Sequence, residues 1–276
     1  MCIRDRKTGG THSESSCDGG LRYGLSSNQG RRNEMQDAHN ATIGIPQITK
    51  NASWFAIFDG HGGVNVSDYC SKELLECITS DKGFKEALEK ERIIEGKELM
   101  KKIKKGIYNG FLEVDQKVRT IPRAKESGST AVCALITETH LILANCGDSR
   151  GMICTRLTDT DGEVICKPVL TTVDHKPATP SEKERIDKAD GYVFNGRIRG
   201  VLAVSRSFGD FKYKSVDKLG PTAQMVSPEP DFYIKLRERN IDEFIKWTTF
   251  EREELFNYIK KCDLLLSTSC LLYTSP

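Results

Sequence analysis

Apolar and β-branched residues gather along this chain in short runs punctuated by Gly, Asp or Ser. Ser53 to Phe58 (SWFAIF), Thr130 to Ile136 (TAVCALI), His140 to Asn145 (HLILAN) and Gly151 to Thr155 (GMICT) have the length and composition of strands. Between them the period changes. From Val66 to Thr79, Val66, Tyr69, Cys70, Leu74, Leu75 and Ile78 share one helical face. Glu95 to Val118 repeats the pattern with Leu99, Ile103, Ile107, Phe111, Leu112 and Val118. A further helix is predicted from Ser181 to Ala189, with Ser181 as N-cap and Glu184 closing a capping box. Paired strands with long helices between them predict a sandwich of two sheets with helices outside, and periodicity goes no further.

Composition narrows the class. The chain has 276 residues, 38% hydrophobic and 29% charged, which fits one large globular domain. With 41 basic and 39 acidic residues the net charge is +2, giving no electrostatic case for nucleic acid or an anionic membrane. No apolar run is long enough to span a bilayer, and the start lacks the order of a signal peptide. The expectation is a cytoplasmic and/or nuclear monomer. The ten cysteines include no C-x-x-C pair and are expected to be free thiols, mostly buried.

The two ends look foreign. Met1 to Arg6 reads MCIRDR, and one codon choice for it, read on the complementary strand, encodes the CLLYT that opens Cys270 to Pro276. Residues 1–6 and 270–276 are therefore expected to be adaptor-derived, with 7–20 a flexible leader and 21–269 a partial domain that continues past Ser269 in the natural protein.

Three polar segments could carry chemistry. Asp59, in Phe58-Asp59-Gly60-His61-Gly62-Gly63, stands at a strand end followed by glycines, which puts a carboxylate at a sheet rim with backbone carbonyls open to a ligand. Hard cations such as Mg²⁺ and Mn²⁺ take such oxygen clusters, although an Asp-Gly turn with a solvated His explains the tripeptide equally well. Arg31 to His39 offers arginines whose fork matches phosphate oxygens, or else an amphipathic surface strand. Asn145 to Gly151 holds Asp148 in a turn that alone reads as a hairpin. Asp174-His175-Lys176-Pro177 reads as a helix entry, and Arg206 and Asp210 as a pair that orient each other. No G-x-G-x-x-G or P-loop stands in the context a nucleotide site needs.

In this order LRYGLSSNQGRRNEMQDAH, FAIFDGHGG, ESGSTAV, NCGDSRG, DHKPATPSEKERI, LAVSRSFGDF and GPTAQMVSPEP resemble the type 2C metal-dependent protein serine/threonine phosphatases, above all the animal alpha and beta forms, from Leu21 to about Asp231. The resemblance implies an α+β fold: a central sandwich of two antiparallel sheets flanked by helices (α-β-β-α), here incomplete at the C-terminus. It implies two Mg²⁺ or Mn²⁺ ions, with a weaker third, that activate water against phosphoserine or phosphothreonine in protein substrates. On that resemblance Asp59 bridges the metals, Gly60 ligates through its carbonyl, and Asp148 serves the third position. Arg32 grips the phosphate, His61 is the general acid, and Asp37 orients a water. Lys212 to Val226 borders the substrate groove.

Two departures matter. Where the family has Glu beside the metals, this chain has Gln36, which keeps the shape and loses the charge. The family continues through an Asp-Gly-(Leu/Ile)-Trp-Asp turn, whereas Asp242-Glu243-Phe244-Ile245 here runs through Lys246 to Trp247 and Thr248, with a helix expected over Glu253 to Lys260. A rival alignment takes Leu264 to Ser269 as that strand. Either way a metal carboxylate is absent, and the chain as written is expected to be inactive. Two functions stay open: an active phosphatase of which this is a damaged piece, or a catalytically inactive pseudophosphatase that binds phosphoproteins as a scaffold.

Overall fold

The computed structural model describes residues 12–15, 21–27, 29, 32–46, 48–158, 164–237, 244–248 and 264–267. In chain order the elements begin with strands β1 (His12–Ser15), β2 (Arg22–Ser26), β3 (Ala38–Thr42), β4 (Ser53–Phe58) and β5 (Gly60–His61), then helices α1 (Asn65–Ser80), α2 (Lys82–Glu89) and α3 (Gly96–Val118). Next come β6 (Gly128–Ser129), β7 (Ala131–Ile136), β8 (His140–Cys146), β9 (Arg150–Thr158), β10 (Val164–Thr171) and helix α4 (Pro180–Lys188). The short strands β11 (Val193–Phe194), β12 (Arg197–Ile198) and β13 (Phe208–Gly209) precede β14 (Asp231–Leu236), β15 (Phe244–Thr248) and β16 (Leu264–Ser267).

Two large sheets form the centre, one ordered β14-β8-β7-β4-β3 and the other β1-β2-β15-β16-β9-β10. The first is antiparallel throughout. In the second, β15 pairs in parallel with both β2 and β16. The two stretches that sequence offered for one family strand are thus both strands, side by side. The helix expected over Glu253 to Lys260 lies outside the described residues.

The continuous apolar run of β4 follows from its position, because both of its faces are covered. Trp54, Ala56 and Phe58 pack with Val66, Cys70, Leu74, Ile103, Ile107 and Phe111 from α1 and α3. Phe55 and Ile57 face the other way, against Leu25 of β2 and Ile153 of β9, and so form the core between the sheets. Glycines let the helices approach closely: a Cβ at Gly110 would stand 2.4 Å from Ile78 Cγ1, and one at Gly106 2.5 Å from Phe84 Cβ.

Two local expectations are corrected. The turn at Asp148 does not join a hairpin, because β8 belongs to the first sheet and β9 to the second. It is a crossover, held by Gly147 N–H donating to His175 Nδ1 at 3.0 Å and by Arg150 gripping Asp174 at 2.7 and 3.1 Å. Helix α4 takes Thr179, not Ser181, as its N-cap. Pro180 fits the first helical position, where no N–H partner is needed. Glu184 pairs instead with Lys188 at 2.7 Å.

Candidate metal and phosphate site

Where β4 ends, the chain leaves the sheet through Asp59 and is pinned to the head of β7. Asp59 N–H donates to Thr130 Oγ1 at 3.3 Å, and Thr130 N–H returns a bond to Asp59 O at 3.0 Å. Thr130 Oγ1 is also 2.7 Å from Ser149 Oγ, the neighbour of Asp148. One short relay of hydroxyls therefore fixes Asp59 relative to the crossover that carries Asp148. Lys176 Nζ forms an ion pair with Asp148 Oδ2.

Gly60 has no room for a side chain. A Cβ there would lie 2.1 Å from Gln36 O and 2.6 Å from Ser67 Oγ, and Ser67 itself donates to Gln36 O at 2.5 Å. The same contacts bring the Gln36 backbone carbonyl against Gly60, while its side chain donates to Glu34 Oε2 at 3.4 Å. Arg32 is exposed and Asp37 half-buried, both in an irregular stretch before β3 rather than in the surface strand that alternation allowed. Arg31 lies outside the described residues.

The charged residues singled out from sequence act on one carboxyl. Burial raises the Asp59 pKa, Asp37 and Asp148 raise it further, and His61 and Arg32 pull the other way; the result is about 7. His61 Nε2 is 2.7 Å from Asp210 Oδ2. Burial lowers the His61 pKa, but the charge and hydrogen bond of Asp210 outweigh it, so the imidazole is raised above its ordinary value. Burial raises Asp210, and the attraction of His61 with the Ser207 hydroxyl at 2.7 Å turns the net shift downward.

Asp210 is the site residue that sequence reading misassigned. It does not orient Arg206, whose guanidinium binds Glu182 at 2.8 Å and Asp231 at 3.0 Å. Asp210 has a left-handed φ of 53°, and a Cβ at Gly128 would meet its Oδ2 at 2.3 Å. A turn glycine before an aspartate is the signal available in Ser207-Phe208-Gly209-Asp210, and it does not say which partner lies opposite. His175, in the segment that leads into α4, also links Gly147 N–H to Asp231, with Nε2 3.1 Å from Asp231 Oδ2.

The donor set fits a hard cation at Asp59 in part. A carboxyl whose pKa burial, and then two further acids, raise to about 7 is relieved by a positive ion, and its neighbours are oxygen groups of the kind Mg²⁺ and Mn²⁺ take. Among the described residues, no group of three or more His, Cys, Asp or Glu side chains is arranged to hold a metal.

The protein phosphatase 2C family pattern matches residues 21–248. Protein phosphatase 1B of Mus musculus is 43% identical over 259 residues, covering 90% of this chain and 63% of that protein. Protein phosphatase 1A of Homo sapiens is 43% identical over 251 residues, 87% of this chain and 62% of its own. This chain thus spans less than two thirds of the length of these relatives. A solved serine-threonine phosphatase 2C from Toxoplasma gondii superposes with a TM-score of 0.56 at 20% identity, over 74% of each chain, which is a likeness of fold. With the matched region running from β2 through β15, the chain belongs to the protein phosphatase 2C family.

Proposed function

We propose that the protein to which this chain belongs hydrolyses phosphoserine and phosphothreonine in other proteins, with Mg²⁺ or Mn²⁺ at Asp59. The observation that carries the proposal is the convergence of Asp59, Asp37, Asp148, His61 and Arg32 on one electrostatic site. When bound, the divalent ion neutralises charge and lowers the pKa of a water. Asp59 and the Gly60 carbonyl would hold it, with Asp148 the ligand of a further ion. Arg32, exposed at the rim, presents a fork that matches two phosphate oxygens.

His61 supplies the proton. Asp210 is ionised and accepts, so Nε2 carries the hydrogen of the 2.7 Å contact. Nδ1 is then the atom that holds an exchangeable proton and can give it to the leaving serine or threonine oxygen. The raised imidazole pKa makes that proton harder to lose than from an ordinary histidine.

A second reading has its own support. Gln36 and the absence of a three-ligand cluster among the described residues favour a module that grips phosphoproteins without turning them over. One experiment separates the two. The protein made from its full transcript is assayed with p-nitrophenyl phosphate and Mn²⁺, alongside Asp59→Asn. Hydrolysis that requires Mn²⁺ and Asp59 supports the enzyme. Phosphopeptide binding with no turnover supports the scaffold, and turnover under strong chelation defeats the metal mechanism.

A further inference from the structure

Beside the site, a cavity of about 560 Å³ opens between the end of α3 and the segment after Asp210. Arg119, Lys125, Phe211, Lys214, Ser215 and Asp217 are among its lining residues. Its size is that of a ligand site, larger than one phosphate needs. Phe211 is the buried floor, and the Arg119 guanidinium lies 4.3 Å from that ring's centroid, which holds its fork at the edge of the cavity. Gln224 braces the far wall, its side chain bonded to Val216 N–H, Val216 O and Leu219 O.

The charge here is uneven. Lys214 is buried and spent on Asp115, 2.8 Å away. Arg119, Arg123, Lys125, Lys212 and Lys218 stand in no ion pair among the described residues, and Glu126 and Asp217 are the acids of the same two segments with none. Of these, Arg119 and Lys125 line the cavity against Asp217 alone, an excess of cations on a chain whose net charge is only +2. The cavity also shares a loop with the site. Phe211 follows Asp210, and Asp115 Oδ1, which holds Lys214, also accepts Gly209 N–H at 2.9 Å.

We propose that this cavity receives a carboxylate of the substrate protein, borne some residues from the phosphoserine. Arg119, Lys125 and the Ser215 hydroxyl are the groups that would meet it, and Asp217 opposes it. The substrate class is then a phosphoprotein with an acidic flank, an inference that rests on the proposed phosphoprotein site.

The test follows backbone amide signals of the ¹⁵N-labelled full chain. Three additions are compared: a phosphoserine peptide with glutamates in its flank, the same peptide with glutamines, and inorganic phosphate. The glutamate peptide is expected to move the Ser215 to Asp217 signals and bind about 5-fold tighter than the glutamine peptide at low salt, the scale of a few exposed charge contacts. The double variant Arg119→Gln/Lys125→Gln removes that preference, and Asp217→Asn enlarges it, so a general loss of folding cannot imitate both results. Equal affinity of the two peptides overturns the inference. So does movement of the Ser215 to Asp217 signals by phosphate and not by the glutamate peptide, which marks a small-anion site. If both peptides move the Arg32 to Asp37 signals and neither moves the cavity, the inference fails and the proposed function stands. If the glutamate peptide moves only the cavity signals, the phosphate grip fails and the inference stands.

Discussion

His61 Nε2 and Asp210 Oδ2 lie 2.7 Å apart although 149 residues separate them in the chain. The contact joins β5 to the end of β13 across β6, and Asp210 is 1% exposed. Asp210→Asn keeps the shape and removes the charge that offsets the burial of His61. The imidazole is then expected to titrate below the wild-type midpoint, measured by NMR; an unchanged midpoint rejects this account. The effect on stability has a definite window. A raised histidine contributes fully below its ordinary 6.5 and loses the contribution as pH rises through its folded value. A depressed aspartate contributes above its ordinary 3.8 and loses it as pH falls through its folded value. Asp210→Asn should therefore destabilise the chain most between pH 3.8 and 6.5.

Asp115 and Lys214 form a second buried pair, 1% and 2% exposed at the side chain and 2.8 Å apart. Burial raises the Asp115 pKa even against the lysine. Lys214→Met strands that carboxyl, at a cost of about 3–5 kcal/mol in urea unfolding. Asp115→Asn in the same chain should recover most of the loss, since the amide oxygen still accepts Gly209 N–H. Equal stability of the single and double variants contradicts this.

Much of the fold was legible because burial writes itself into local composition. The run Ser53–Phe58 and the apolar face of α3 gave strand and helix boundaries within one residue. Long-range pairing was not legible. Asp148 sits in a turn whose flanking strands look like a hairpin, and only the tertiary bonds of His175 and Asp174 send β9 to the other sheet. In the same way Arg206 and Asp210 are neighbours in sequence, but each finds a better-placed opposite charge elsewhere. Gly60 in sequence signals a backbone open to a ligand; the packing adds that Gln36 O fills the space a side chain would need.

Gly110 separates helix propensity from packing. In an isolated helix, Gly→Ala gains about 1 kcal/mol. Here the new Cβ would meet Ile78 Cγ1 at 2.4 Å and the Ile78 amide nitrogen at 2.9 Å, so α1 must shift. Gly110→Ala is expected to destabilise by about 1–3 kcal/mol, the cost of overpacking, read as a lower Tm. A higher Tm contradicts the α1–α3 packing described above.

Asp59 makes the metal-free chain sensitive to pH in the direction opposite to most carboxylates. Its folded pKa of about 7 exceeds the ordinary 3.8, so the folded state binds more protons and stability falls as pH rises from 3.8 to about 7. Asp59→Asn should thus raise the Tm of metal-free protein at pH 8 while removing its Mn²⁺ response. A divalent ion competes with the same proton, so Mn²⁺ affinity should weaken as pH falls through 7. Gln36→Glu tests the ligand shortfall at that corner. The backbone carbonyl of residue 36 is fixed against Gly60 by Ser67, while its side-chain amide donates to Glu34 Oε2 at 3.4 Å, so a carboxylate there must turn from Glu34 toward the corner to serve a cation. It should raise the Asp59 pKa further without metal and tighten Mn²⁺ by about 10–100-fold, the scale of outer-shell losses at metal sites. Isothermal titration of Mn²⁺ at pH 7.5 reads both effects, the first as additional protons released on binding and the second as a tighter binding curve. Unaltered affinity in Gln36→Glu would mean that residue 36 supplies no charge to a cation at the Asp59–Gly60 corner.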